Sequence, residues 1–393
     1  MRIEKLRGNI WKLYTIQALR WFLLSVPILV PFYQSNGLSI QQVLIVQASF
    51  GVTLALLEIP TGFIADMFGR KRAIVLGMIV WPLAWGFYSV SHSFEAFLLA
   101  EGMLALGTAL LSGADSALLF DTLTELEESG TYTKREGIMN TTWNVSEGVA
   151  SVLGGLLAVV SLRFPMYIQA VVAALAIPVA LSLIEPTRKK MNETTGKVRL
   201  LLQTLRFALI EHSEIKWLTI YTASVSCAGI TFLWFIQPRL AVAGVPLAWF
   251  GVVWAALQFS SGFVSSQAQK IEMILGRKTT LYLLLPVTAL SFVLLAYAPG
   301  IFAIAVMFIP FLVRGLNIPI LRDYVNRRTP SELRATVLSL SGLIMRGMFV
   351  IIGPLVGFIH DQYSFSTAFI TAGVVFGVIS VVSLARMKTL RVL

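Results

Sequence analysis

Apolar runs of about twenty residues, each long enough to cross a hydrocarbon core of about 30 Å, recur along the whole chain with short polar connections between them. Their spacing predicts twelve membrane-spanning helices, over 9–33, 38–65, 73–91, 95–122, 137–161, 164–184, 214–237, 248–269, 279–298, 301–325, 334–359 and 364–385. The one long polar connection begins at Glu185-Pro-Thr-Arg-Lys-Lys and divides the spans six and six. This gives an N-terminal bundle over 1–184, a linker over 185–212 and a C-terminal bundle over 213–393. Within the linker, Val198 to Ile210 keeps apolar residues at helical spacing with Arg199 and Arg206 between them, the pattern of a short amphipathic helix on a membrane surface. The first apolar run is too long for a signal-peptide core and has no convincing cleavage site before Gln34, so it is expected to remain as the first span.

The basic residues fix an orientation. Arg2, Lys5 and Arg7, then Arg70, Lys71 and Arg72, then Lys134 and Arg135, six in the linker, Lys270, Arg277 and Lys278, Arg327, Arg328 and Arg334, and finally Arg386, Lys388 and Arg391 all fall on one side. Only Arg163 and Arg239 fall on the other. The positive-inside rule then puts both termini of this multi-pass protein in the cytoplasm.

Composition agrees with this topology. The 393 residues are 56% hydrophobic and 13% charged, with a mean hydropathy of +0.79. A soluble domain carries about a quarter charged residues. The net charge of +11 is explained by the basic loops, so no nucleic-acid partner is expected. A single cysteine, Cys227, excludes an intrachain disulfide. His92, His212 and His360 stand near span ends, which gives little support to a metal site or catalytic dyad, and no P-loop spacing points to ATP. Neither an enzyme nor a cofactor is expected.

Charges inside the spans are costly unless they face protein or water, so they mark the helices around a cavity. Spans 1, 2, 4, 5, 10 and 11 carry Arg20, Glu58, Asp115, Glu147, Arg314 and Arg346, whereas spans 3, 6, 9 and 12 carry no interior charge. Every third helix is therefore expected to face lipid. At about 1.5 Å per residue, Glu58, Arg20, Glu147 and Arg346 lie roughly 12 to 18 Å from the basic edge, near the midplane. Glu58 reads as a titrating acid or as a fixed partner of Arg20; Asp115, flanked by small residues, as a cavity acid or a packing hydrogen bond. Glu147, beside Trp143 and Asn144, reads as a substrate contact or a structural pair. Arg314 and Asn317, between Pro310 and Pro319, read as cavity residues or as partners of carbonyls freed by the prolines. Glu101 is placed nearer the outer face, exposed to water. Trp11, Trp217 and Trp249 fit interfacial anchors, and Trp21, Trp143, Trp234 and Trp254 lie deeper.

Between spans two and three stands Gly62-Phe-Ile-Ala-Asp66-Met-Phe-Gly69-Arg70-Lys71, a tight basic turn whose glycines at 62 and 69 are expected to let helix ends and turn approach. Gly276-Arg277-Lys278 repeats part of it one half later, with Lys270 and Glu272 where a full copy would carry its aspartate. The turn resembles the signature loop of the major facilitator superfamily. Glu58-Ile-Pro60-Thr-Gly62, Ser112 to Asp121 and Arg334 to Ser339 are similar to a bacterial branch of drug and metabolite permeases. The resemblance implies an all-α membrane fold of two pseudo-symmetric six-helix bundles. It also implies a conformational latch, with Asp66, Arg70 and Asp121 in the roles of loop aspartate, loop arginine and helix-4 acid, within a motif that includes Gly62, Gly69 and Lys71. Two features depart from the family. The helix-4 arginine of proton-coupled members is missing from Ala100 to Gly107, and the helix-5 motif around Gly148, Gly154 and Gly155 lacks its proline.

The sequence thus predicts a monomeric secondary active transporter that works by alternating access and exports a small organic compound or drug against protons. Glu58 and Asp115 would couple protons, and Arg20, Trp143, Asn144, Glu147, Arg314, Asn317 and Arg346 would line the substrate cavity. Uptake or exchange of an organic anion on the cavity arginines is the alternative, and a transport-inactive sensor on the same scaffold is a second. Direction of accumulation separates the first two, and binding without flux would mark the third.

Overall fold

The computed structural model describes residues 2–187, 206–329 and 333–390. Every regular element among them is helical: α1 (Arg2–Arg20), α2 (Leu29–Ser35), α3 (Ile40–Phe68), α4 (Arg70–Val90), α5 (Phe94–Leu111), α6 (Ala114–Glu125), α7 (Tyr132–Ala158), α8 (Phe164–Ala174) and α9 (Ala176–Leu181). After the linker come α10 (Ser213–Val242), α11 (Phe250–Ser266), α12 (Ala268–Leu275), α13 (Arg277–Tyr297), α14 (Phe302–Arg328), α15 (Arg334–Gln362) and α16 (Phe365–Thr389). The amphipathic helix expected over Val198 to Ile210 falls largely outside the described residues; its last part forms a short π-helical turn, Phe207–Glu211.

Ten stretches among the described residues are long and apolar enough to cross a membrane. Spans one and five of the sequence reading are also present, as α1 with α2 and as α7, but both are too polar or too interrupted to qualify by length and hydropathy alone. In α7 the first sixteen residues carry Lys134, Arg135, Glu136, Asn140, Asn144 and Glu147. Prolines stand inside α3, α4, α10, α13, α14 and α15.

By Cα proximity the chain forms two compact units. The first comprises Met1–Leu38, Ser49–Lys190 and Pro246–Ala255; the second comprises Ser39–Ala48, Met191–Val245 and Ala256–Leu393. Lipid tails are as apolar as leucine, so packing and polar satisfaction must hold each unit together rather than escape from water. The first unit does this with interlocked rings: Phe97 meets Phe32 edge-on at 5.7 Å and Tyr33 at 5.0 Å, all three fully buried. Such pairs contribute about 0.5–1.5 kcal/mol beyond area. Glu101 lies inside this cluster and accepts from the hydroxyls of Tyr33 at 3.1 Å and Tyr88 at 2.9 Å. The expectation that it is open to water is therefore corrected: at 4% exposure it is a buried acid. The second unit uses Phe232, Phe235, Phe292 and Phe369, with Phe365 stacked on Phe369 at 4.4 Å.

Exposed apolar residues repeat every three or four positions on α4 (Leu76, Ile79, Leu83) and on α16 (Val374, Val378, Val381). Such stripes suit lipid, and α3, α7 and α15 carry exposed apolar residues too, so exposure does not single out every third span.

Candidate functional site

Two spans of the first unit are broken at the depth of their charged residues. Span one ends as a helix at Arg20, turns through Trp21 to Ser25 and resumes at Val26. Irregular backbone in a membrane must find internal partners. Here the Leu23 N–H donates to the Trp21 carbonyl at 2.8 Å and the Ser25 N–H to Oε1 of Gln169 on α8 at 2.8 Å. Span four breaks at Gly113, whose φ of 74° only glycine adopts without strain, and α6 restarts with Asp115 in its first turn. A helix carries partial negative charge at its C-terminus and partial positive charge at its N-terminus. Arg20 thus sits at the negative end of α1 and Asp115 at the positive end of α6, each stabilised by its own helix.

These two ends face each other. The guanidinium of Arg20, 7% exposed, lies 4.0 Å from Asp115 Oδ2. Gln17 Nε2 donates to the same oxygen at 2.7 Å, and the Ser116 N–H donates to Oδ1 at 2.8 Å. Arg20 also lies 5.3 Å from the ring of Trp21 and 5.2 Å from that of Trp81, cation–π contacts that partly replace its water. The acid facing Arg20 therefore belongs to span four, where the sequence had offered Glu58. Glu58 is half-buried on α3, apart from these hydrogen bonds.

Glu147 on α7 forms a second polar centre in this unit. It is 8% exposed and accepts from the indole of Trp143 at 3.2 Å and from that of Trp254 at 3.3 Å. Trp21 stacks on Trp143 at 4.5 Å, so rings link the two centres. Asn144 takes no part in them: it is exposed and donates to the carbonyl of Asn140 at 2.8 Å.

In the second unit Arg314 and Asn317, one turn apart on α14, line a cavity of about 290 Å³. Arg314 Nη1 donates to Gln258 Oε1 at 3.3 Å, and Asn317 Nδ2 donates to Ser226 Oγ at 3.0 Å. These partners are side chains on α11 and α10. Arg346 is half-buried on α15.

At the basic side of the first unit, Arg70 pairs with Asp121 at 2.6 Å and also donates to the Ala117 carbonyl. The side chain of Asp66, the third latch residue of the sequence reading, lies outside the described residues. Gly69 has a φ of 110°, and a Cβ there would stand 3.2 Å from the carboxylate of Glu185. That carboxylate accepts the N–H groups of Arg70 at 2.9 Å and Lys71 at 2.8 Å, capping the start of α4. At Gly62, by contrast, a Cβ would meet nothing within 4 Å, so the close approach expected there is absent. The segment around Glu185 is strapped down further. Asn9 exchanges two hydrogen bonds with Ile184, at 2.8 and 3.0 Å, and Glu125 accepts the Thr187 N–H at 2.6 Å. In the partial copy of the turn, Arg277 lies 3.4 Å from both Glu272 and Asp323.

The sequence reading missed Gln17 and Glu185 as functional neighbours. Gln17 stands one turn before Arg20 on α1, and that spacing was the available signal. Glu185 was absorbed into the linker, although a turn rich in N–H groups and cations at the head of a helix calls for an anion.

A family model described as Major Facilitator Superfamily matches residues 10–354. The Staphylococcus aureus (strain MRSA252) "Quinolone resistance protein NorA" is 22% identical over 209 residues, 53% of this chain and 50% of that protein. The Mycobacterium tuberculosis (strain CDC 1551 / Oshkosh) "Multidrug resistance protein Stp" is 25% identical over 201 residues, 48% of this chain and 36% of that one. The matched stretch spans about half the length of these curated relatives or less. Among solved structures, a mutant of the nucleoside transporter NupG superposes with a TM-score of 0.80 at 15% identity, over 98% of this chain and 99% of that one. An inward-facing bacterial homolog of the human lysosomal transporter Spinster gives 0.77 at 16% identity, over 98% and 96%. At such identities the superpositions speak for the fold, while the family match spans most of the sequence: the chain belongs to the major facilitator superfamily.

Proposed function

We propose that the chain is a secondary active transporter that exports a small organic compound, a drug or amphipathic metabolite, in exchange for protons. Two six-helix halves would alternate access to a central site, with the basic loops on the cytoplasmic side of a bacterial inner membrane. The observation that carries this reading is the pair of opposed half-helix ends, Arg20 on α1 and Asp115 on α6, inside the first unit. Asp115 faces Arg20 and accepts from Gln17 and the Ser116 N–H, so in this reading a change of charge on Asp115 would act on both helix ends at once. Glu58, half-buried on α3, is the second proposed carrier. Trp21 and Trp143, stacked at 4.5 Å beside Glu147, offer ring faces to a flat cationic group. The names of the relatives, quinolone and multidrug resistance proteins, support the export of aromatic compounds.

The test is retention of a fluorescent amphipathic cation by cells expressing the chain. Expression should lower retention, and a protonophore or Asp115→Asn should restore it. Unchanged export by Asp115→Asn and Glu58→Gln together, insensitive to protonophore, would remove the proton carriers from the mechanism. A second reading, exchange of an organic anion, is favoured by one observation, the guanidinium of Arg314 in the wall of the second unit's cavity. It predicts exchange without a proton gradient and a strict need for Arg314.

A further inference from the structure

Glu136 stands in the second turn of α7, just ahead of the stretch 137–161 that the hydropathy pattern places in the membrane. It is half-buried, while Thr133, Gly137 and Asn140 around it are exposed, which gives it access to water at the basic side. One serine joins it to Asp115. The Ser116 N–H donates to Asp115 Oδ1 at 2.8 Å, and the Ser116 hydroxyl donates to Glu136 Oε2 at 3.3 Å. The Tyr132 hydroxyl lies 2.7 Å from Ser116 Oγ, and its ring meets Phe120 edge-on at 5.3 Å. Hydroxyls donate and accept, so this chain serves both forms of the acid. With the carboxylate, Tyr132 donates to Ser116 and Ser116 to Glu136; with the carboxylic acid, both bonds reverse.

The helices packed against α7 carry other charges, among them Lys12 and Arg20 on α1 and Asp121 and Glu125 on α6, and Lys134 and Arg135 flank Glu136 on its own helix. Helix α8 and the short turns Val26–Ile28, Ser129–Thr131 and Leu247–Trp249 carry none. Among the described residues, Asp115 is the group whose charge bears on Glu136. Burial pushes the Glu136 carboxyl up from the ordinary glutamate value, the serine hydrogen bond pulls it down, and the charge of Asp115 pushes it up again. Two acids thus stand close together where one buried cation, Arg20, faces Asp115. A single proton held at such a pair relieves the repulsion between them. We propose that Glu136 is a proton-exchange residue of the first unit, one that holds a proton beside Asp115 and exchanges it with water at the basic side. This deepens the export reading by naming a further acid for it, and it rests on that reading for its role in transport.

The experiment is infrared difference spectroscopy of the purified full-length protein stepped through pH, following the carbonyl band of protonated carboxyl groups. The parent should show a component whose midpoint lies above the ordinary glutamate value, and Glu136→Gln should remove it. In Asp115→Asn that component should titrate about one pH unit lower, because the neighbouring negative charge is gone. Ser116→Ala keeps the N–H on Asp115 but takes the hydroxyl from Glu136, and should move the midpoint the other way. In cells exporting a fluorescent amphipathic cation, Glu136→Gln should flatten the pH dependence of export and Glu136→Asp should restore part of it. A spectrum that loses no component in Glu136→Gln would overturn the proposal, as would a midpoint that neither Asp115→Asn nor Ser116→Ala moves. Export with the parent's pH dependence in Glu136→Gln would overturn it as well. A Glu136 component that responds to both neighbours, in a protein with no proton-driven flux of any compound, would sink the export reading and leave the acid pair standing.

Discussion

In the first unit Asp115 accepts two hydrogen bonds and faces a buried guanidinium, and Glu147 lies between two indole N–H groups. In the second unit the corresponding polar residues border an open volume, and Asn317 keeps a carbonyl oxygen without a partner. Both units hold buried polar atoms without a hydrogen-bond partner, Gln17 Oε1 and Arg20 Nε in the first and Asn317 Oδ1 in the second; the difference is that the first sets a buried arginine against a carboxylate, whereas Arg314 in the second donates to a neutral glutamine. Buried ion pairs contribute little net stability, yet breaking one is severe. A pair of this kind suits a switch that must hold one of two states. A cavity with apolar walls and a few polar side chains, as in the second unit, suits recognition.

This contrast can be broken most directly at Asp115. Asp115→Leu leaves Arg20 buried without its anion and should destabilise the protein by about 3–5 kcal/mol, read as a lowered unfolding midpoint in detergent. Asn317→Leu in the second unit loses one neutral hydrogen bond, to Ser226, and should cost about 1 kcal/mol; equal losses at the two positions would erase the distinction drawn here. Arg70→Ala removes an ion pair with roughly a fifth of each side chain exposed, and should cost roughly 1–2 kcal/mol, less than a fully buried pair. Gly69→Ala forces a side chain into positive φ at about 1–2 kcal/mol and crowds the Glu185 carboxylate, with Glu185→Gln giving a smaller loss of about 0.3–1 kcal/mol through the α4 terminus. Gly62→Ala should change the midpoint by no more than about 0.5 kcal/mol, since its Cβ would enter open space. A large effect there would mean that Gly62 meets another element during transport.

The twelve spans were legible because a run of twenty apolar residues has almost no other physical solution than a membrane helix. The ion pair between Arg70 and Asp121 was expected from the signature turn. The breaks were not. Span one did carry a signal, Ser25 followed by Pro27 at the start of the next turn, and span four carried Gly113 next to Ser112, but neither was read as a break. Hydropathy averages over such interruptions, so the helix ends that orient Arg20 and Asp115 stayed hidden behind continuous apolar sequence. Glu101 was misplaced for a related reason. Its depth along α5 could be counted, but the ring cluster that encloses it depends on Phe32 and Tyr33 of α2 folding back beside α4. Glu185 was hidden by composition, since a polar connection looks alike whether it is strapped to the protein or free in water.

The most direct measurement is flux in proteoliposomes holding the purified protein under an imposed pH gradient, with cationic, neutral and anionic aromatic compounds and with internal pH recorded for each. The export account predicts that a compound moves opposite to protons, with a matching change in internal pH, and that Asp115→Asn abolishes the proton movement while the protein remains folded. Exchange of an anionic compound at the same rate with and without the gradient, unaffected by Asp115→Asn and lost in Arg314→Gln, would contradict it.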